Sequence, residues 1–90
     1  MRNKQYFVGE IRWIENRINW CSKMIDGYNR EIRYYKNLPI NDIEYKESRI
    51  KHNVNMRAKF YRMRKNWKND LELMRIRAIN TLGYDPTKED

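Results

Sequence analysis

The chain has 90 residues, with 20 Lys and Arg against 12 Asp and Glu, and a formal net charge of +8. This length accommodates one small domain. A single cysteine and a single histidine exclude an internal disulfide and leave too few ligands for a thiolate or imidazole metal site. No apolar run approaches the ~20 residues of a membrane-spanning helix, and the N-terminal residues show no signal-peptide pattern. We therefore expect a soluble, cytoplasmic protein with no metal, cofactor, membrane association or small-molecule substrate.

Apolar residues recur at alternating spacings of four and three along the first third of the chain. This pattern is a heptad repeat with isoleucine at every a position. It predicts one continuous helix over residues 4–36 with a single buried seam. The seam residues are Phe7, Ile11, Ile14, Ile18, Cys21, Ile25, Tyr28, Ile32 and Tyr35.

A second apolar stripe occupies the c position of the same heptads, where Gly27 fills the one place without a ring. The c position lies about 130° from the middle of the seam, so one partner helix cannot cover both faces. The stripe therefore packs on another part of the chain or a second subunit, or it stays exposed to anchor a protein partner. We call it the aromatic stripe, and its members are Tyr6, Trp13, Trp20 and Tyr34.

A turn is predicted at residues 37–41, because Pro39 disfavours helical geometry before it and lacks an N–H group. Asn41 is the expected N-cap of a second helix over residues 42–82, with Glu44 as its capping-box partner. Gly83 suits the left-handed position of a Schellman motif, and residues 85–90 are expected to form a frayed polar tail. A connection this short predicts one antiparallel hairpin domain over residues 1–84.

The second predicted helix carries two apolar stripes about 120° apart. Either it bends near residues 52–55, where weak helix formers cluster, or it is straight and offers two faces; the straight helix is favoured. Two hairpins packed as a four-helix bundle would cover the second stripe, which predicts an all-α homodimer, and a different protein partner would cover it equally well. We assign Phe60, Met63 and Trp67, with the aromatic stripe, to a dimer or partner interface. The first stripe is Ile43, Ile50, Val54 and Tyr61, and the second is Met56, Phe60, Met63, Trp67, Leu71, Met74, Ala78 and Leu82.

The positive charge is confined to one segment of the second helix. Residues 48–69 contain eight cations and no acidic residue, so removing those eight from 20 leaves 12 cations against 12 anions elsewhere. Four cations align within about 40° on one side of this helix. Cations near a ring such as Tyr61 are typical of nucleic-acid surfaces, where cations bind phosphates and rings stack on bases. We call the four the basic row: Arg57, Arg64, Lys68 and Arg75.

The primary hypothesis is a non-catalytic protein that binds nucleic acid, or a nucleic-acid-bound protein machine, through the basic row. Lys59, Arg62 and Lys65 strengthen its field. Three glutamates at e and g positions of the first helix can pair with these cations and lower the available charge. One alternative is an inhibitor or adaptor that docks through the aromatic stripe. Another is a protein whose basic segment binds the acidic face of a protein partner, and a third is a structural spacer. The three glutamates are Glu10, Glu15 and Glu31.

Catalysis is not expected. Glu44, Ser48 and His52 share one helical face, but a catalytic triad needs its histidine between the nucleophile and the acid. No glycine-rich turn offers an oxyanion hole or a phosphate loop. Cys21 lies on the seam and is interpreted as a small core residue. The abundance of Ile, Lys, Asn and Tyr, whose codons are A/T-rich, favours a low-GC bacterium, or a phage or mobile element living in one, as the source.

Overall fold

The computed structural model describes residues 3–88 as two helices, α1 over Lys4–Asn37 and α2 over Ile43–Leu82. Arg57 of α2 is hydrogen-bonded to Asn29 of α1, and Arg64, further along α2, is hydrogen-bonded to Ser22, which comes earlier in α1. The two helices are therefore antiparallel. The predicted all-α helical hairpin is confirmed, and residues 3–88 contain no strand. Neither helix is long and apolar enough over its described length to cross a membrane.

The heptad seam of α1 faces α2 as predicted. Asn3 caps the start of α1 by accepting the backbone N–H of Tyr6 at 3.0 Å. Seven of the nine seam residues are buried, and Ile18 and Tyr28 are half-buried. Cys21 is fully covered, and burial raises the pKa of its thiol. These observations fit a packed core residue rather than a nucleophile.

The second helix begins one residue later than its predicted cap. Asp42, not Asn41, is the N-cap, and its carboxylate accepts the backbone N–H of Tyr45 at 2.9 Å. The expected capping box between Asn41 and Glu44 is therefore wrong. Asparagine and aspartate cap equally well, and the charge of the aspartate interacts favourably with the positive end of the helix dipole.

The face of α2 that packs on α1 is the second apolar stripe. Phe60 and Ala78 are its buried members. Toward the start of α2 the same face continues through Lys46, Arg49 and Asn53, at spacings of three and four. The expectation that a second subunit covers this stripe is wrong, because α1 covers the stripe. Ala78 packs with Phe7 of α1, and Phe60 packs with Cys21. The helix is also continuous through residues 52–55, as expected for the straight alternative.

These polar seam residues are satisfied within the hairpin. The Lys46 ammonium donates to the Leu38 carbonyl at 2.9 Å, at the C-terminal end of α1, where a cation also interacts favourably with the helix dipole. Arg49 Nε donates to the Tyr35 hydroxyl at 3.2 Å, and Asn53 Nδ2 donates to the Arg49 carbonyl at 2.8 Å. Because each has a partner, these side chains replace apolar ones in the seam without an orphaned polar atom.

The first apolar stripe of α2 lies outside this packed face. Ile43 is 65% exposed and Tyr61 is 44% exposed. The sequence pattern indicates these residues as one of the two packing faces of α2, because they are the apolar residues that align along its first half. The structure instead places them to one side of the contact with α1.

Gly83 ends α2 in a left-handed conformation, with φ of 85°. Its N–H donates to the Ile79 carbonyl at 2.8 Å. This is the single bond of the simpler αL motif rather than the predicted Schellman pair. The left-handed position remains the reason for glycine at this site.

The residues after Gly83 fold back instead of fraying. Asp85 accepts the backbone N–H of Thr87 at 2.9 Å and its hydroxyl at 2.7 Å, and Pro86 is buried. The expectation of a frayed tail is therefore wrong for residues 85–88, because this local turn satisfies the polar groups. For residues 89–90 the expectation lies outside the described residues.

Candidate nucleic-acid interface

Along one flank of the hairpin, arginines of α2 donate to small polar side chains of α1. Arg57 Nη1 donates to Asn29 Oδ1 at 2.7 Å, and Arg64 Nη1 donates to Ser22 Oγ at 3.0 Å. Donors and acceptors are each seven residues apart, so the contact repeats every two helical turns. We call this side the arginine flank. These two members of the basic row are thus half-buried and held in place.

Neither acceptor on the arginine flank carries a charge. A carboxylate would neutralise its arginine, whereas an amide or a hydroxyl orients the guanidinium and leaves the positive charge uncompensated. Arg64 also lies over the ring of Tyr61, with 5.2 Å from Cζ to the ring centroid. Within residues 3–88, no cation of the segment 48–69 forms an ion pair with a carboxylate. The segment therefore keeps its charge.

Arg75 is the exception in the basic row. Its Nη2 lies 3.7 Å from a carboxylate oxygen of Glu15, and its Nε lies 3.9 Å from one of Asp85. The Nε atom is buried without a hydrogen bond. Two carboxylates thus lie within 4 Å of this guanidinium and offset its positive charge. Glu15 alone of the three predicted glutamates forms an ion pair within residues 3–88.

Four cations on the solvent side of α2 are exposed, three residues apart. They extend about 14 Å along the helix, and because each step of three residues falls about 60° short of a full turn, they spread over about 180° of its solvent side. None of them has an ion pair or hydrogen bond with the described part of the chain. The fourth also belongs to the basic row. We call this set the outward face, and it consists of Lys59, Arg62, Lys65 and Lys68.

The aromatic stripe lies along the other flank, where α2 covers it in part. Trp13 meets Trp67, and Trp20 meets Phe60, each edge to face with ring centroids 5.3 Å apart. Even so, Trp13 remains 48% exposed and Trp20 42% exposed. We call this side the aromatic flank. Its tryptophans contact rings of α2 on one side and are open to solvent on the other.

The α2 residues that the sequence assigned to an interface lie mostly inside the hairpin. Phe60 is buried against Cys21 and Ile25, and Met63 and Trp67 pack around that cluster. At the ends of the stripe, by contrast, Tyr6 packs beside the Phe7 cluster and Tyr34 stays exposed.

Sequence reasoning missed the acceptors on α1. Glu15, Ser22 and Asn29 are seven residues apart at the e position of the heptads, the position that borders a helix–helix seam. That spacing was available in the sequence. Of these three residues, only Glu15 was among the predicted partners of the α2 cations, because Ser22 and Asn29 are neutral.

Residues 3–88 contain no group of three or more His, Cys, Asp or Glu side chains placed to hold a metal ion. Glu44, Ser48 and His52 are exposed on α2, and no hydrogen bond joins them in this part of the chain. The positive charge of α2 lies partly on hydrogen-bonded arginines and partly on exposed cations.

Comparison of the chain with protein-family models, curated proteins and solved structures gives no match. The function is therefore argued from the geometry of the hairpin.

Proposed function

We propose that this protein is a non-catalytic nucleic-acid-binding protein, acting on nucleic acid directly or on a protein machine that carries it. The outward face of α2 contacts the phosphate backbone. The strongest support is positive charge on α2 that no carboxylate of the described residues neutralises. The outward face is exposed, and Arg57 and Arg64 beside it are bonded to neutral acceptors. Clustered cations of this kind neutralise phosphates and release their counterions.

The binding we propose does not depend on base sequence. Lysine is a flexible point charge suited to phosphate, whereas reading base edges needs side chains placed in a groove by a dedicated element. The chain has no helix-turn-helix, zinc-finger or RNA-recognition signature. The expected mode is thus electrostatic and sensitive to salt.

Fluorescence anisotropy with a labelled 20-base-pair duplex tests the proposal. The double variant Lys59→Ala/Lys65→Ala should bind roughly tenfold more weakly at low salt, since two phosphate contacts are lost. The control is Arg12→Ala/Arg33→Ala, which removes the same charge from two exposed residues of α1. Equal weakening in both variants would show that only total charge matters and would contradict a site on α2.

We also propose that two hairpins pair into a four-helix bundle. The support is the aromatic flank, whose tryptophans α2 leaves nearly half exposed. Light scattering at several protein concentrations tests this proposal, which predicts a dimer mass. A monomer mass throughout would contradict it.

The second candidate function is an inhibitor or adaptor that captures another protein. The same exposed rings favour it, because buried aromatic anchors dominate many interfaces. Trp13→Ala should then abolish capture of a partner from nuclease-treated lysate while nucleic-acid binding and helicity persist. Unchanged capture would contradict this candidate.

A further inference from the structure

An open groove lies on the aromatic flank at Gly27. We infer that a second copy of this chain packs antiparallel on that flank, with Trp13 of each copy seated in the groove at Gly27 of the other. This inference rests on the pairing of hairpins proposed above and adds the face, the direction and the contact.

The groove has room for a large side chain. Its volume is about 480 Å³, and Met24, Tyr28 and Tyr34 are among its lining residues. Pockets of roughly 300–1,000 Å³ are those that enclose small organic groups. A Cβ atom built at Gly27 meets only the flexible end of Arg30, at 3.8 Å. Within the hairpin, then, nothing of the described chain requires glycine at this position for space.

The aromatic stripe is symmetric about Trp20. Trp13 lies seven residues before it and Gly27 seven after, while Tyr6 lies fourteen before and Tyr34 fourteen after. A two-fold axis through Trp20, perpendicular to α1, therefore places each Trp13 opposite the partner's glycine. A two-fold interface must be self-complementary in this way, with bulk facing space. A parallel pairing would set Trp13 against Trp13.

Charge follows the same symmetry. The pocket at Trp13 is lined by two acids and one base, Glu10, Asp70 and Arg77, whereas the groove at Gly27 is lined by two bases and one acid, Lys23, Arg30 and Glu31. The two linings therefore differ in the sign of their net charge. Glu10 is ten residues before Trp20 and Arg30 is ten after it, so the antiparallel arrangement brings each glutamate to an arginine of the other copy. Complementary charges at the rim orient a docking partner.

Like charge disfavours contact between two copies through the basic segment of α2. The outward face and the arginine flank carry only cations between residues 48 and 69. Two copies meeting there would place those cations together, which is unfavourable. The aromatic flank, with both signs of charge, is the surface that a copy of the same chain fits, and the cations remain free for nucleic acid.

The surface area leaves room for such an interface. The chain exposes 6888 Å², whereas a compact monomer of its mass, 11.3 kDa, exposes about 5,700 Å². The excess of roughly 1,200 Å² exceeds the ~800 Å² per partner that a standard interface removes.

Gly27→Leu tests the contact, with Gly9→Leu as the matched control. Both glycines lie within α1, so each exchange should raise helicity. Gly9 lies about 27 Å along the helix from Gly27 and outside the c row, with no atom within 4 Å of a built Cβ. Light scattering should give a dimer for the wild type and Gly9→Leu, and roughly 30-fold weaker dimerisation for Gly27→Leu.

Circular dichroism verifies that both glycine variants are folded. A dimer unaffected by Gly27→Leu, or weakened equally by both variants, would overturn the groove contact while leaving pairing itself in place. A wild-type monomer at every concentration would overturn pairing and the groove together.

A charge exchange tests the antiparallel direction. Glu10→Arg and Arg30→Glu alone should each weaken dimerisation roughly 3- to 10-fold, because each sets like charges opposite one another twice. The double variant should restore the wild-type affinity. Additive weakening in the double variant would overturn the antiparallel arrangement.

Discussion

Arg57 donates a hydrogen bond to Asn29 across the hairpin at 2.7 Å, so a neutral side chain fixes a cation in place. Arg64 and Ser22 repeat this relationship two turns away. The pairs contribute to the contact between the helices and leave the charge of each arginine available. Stability and binding therefore depend on these residues in different ways, and substitutions can separate the two.

Asn29→Asp should stabilise the hairpin and weaken nucleic-acid binding. The carboxylate makes a charge-assisted hydrogen bond to Arg57, which should raise the free energy of unfolding by about 0.5–1 kcal/mol. The same carboxylate neutralises a cation beside the outward face. Urea denaturation and anisotropy measure the two effects. The control is Asn16→Asp, an exposed position with the same change in net charge; equal loss of binding in both variants contradicts the account.

Asn53→Leu should raise the free energy of unfolding by about 1 kcal/mol. Asn53 lies in the seam and is 5% exposed. Its amide donates to the Arg49 carbonyl, which keeps its ordinary helical hydrogen bond when the amide is removed. Leucine then adds apolar burial and leaves no orphaned polar atom. Urea denaturation tests this, with the exposed Asn66→Leu expected within ±0.5 kcal/mol of the wild type. A loss above 1 kcal/mol for Asn53→Leu contradicts the prediction.

Gly83→Ala and Gly9→Ala should act in opposite directions. Gly83 has φ of 85°, which alanine adopts only with strain, so Gly83→Ala should lower the free energy of unfolding by about 1 kcal/mol. Gly9 lies inside α1, where alanine is the better helix former, so Gly9→Ala should raise it by about 0.5–1 kcal/mol. Thermal denaturation of both variants measures the contrast. A shift in the same direction for both would show that the left-handed cap is not needed.

The C-terminal turn should be sensitive to acid. The hydroxyl and then the backbone N–H of Thr87 donate to Asp85 and hold the pKa of its carboxyl below the ordinary value. A lowered pKa means that this contribution to stability is present above the unfolded value of about 3.9 and is lost as pH falls through the folded value.

An NMR titration of the Asp85 carboxyl carbon measures this pKa. In the wild type it should lie below the ordinary value, and in Thr87→Val, which lacks the hydroxyl, it should move upward toward it. An Asp85 that titrates at or above the ordinary value in the wild type would be incompatible with the turn.

The regular part of the fold could be predicted from the sequence, because its repeat is apolar. The seam of α1 follows heptad spacing without interruption, and the structure buries it. The start of the α2 seam could not be found in this way, since Lys46, Arg49 and Asn53 are polar and become seam residues only through partners such as Tyr35. Their partners lie on other turns or on the opposite helix, where local pattern gives no information.

The candidate site was predictable as a segment and not as a surface. The absence of carboxylates from residues 48–69 is visible in the sequence. Which cations are free depends on the rotation of α2 against α1. That rotation directs Arg57 and Arg64 to α1 and leaves Lys59 and Lys65 in solvent.

The salt dependence of binding to duplex DNA tests the central claim most directly. If the four cations of the outward face each contact one phosphate, log K should fall against log of salt concentration with a slope near −3.6, at roughly −0.9 per contact. Lys59→Ala/Lys65→Ala should reduce the slope to about −1.8. Wild-type binding that is absent or indifferent to salt, or a slope that the double variant leaves unchanged, would contradict a phosphate-binding surface on α2.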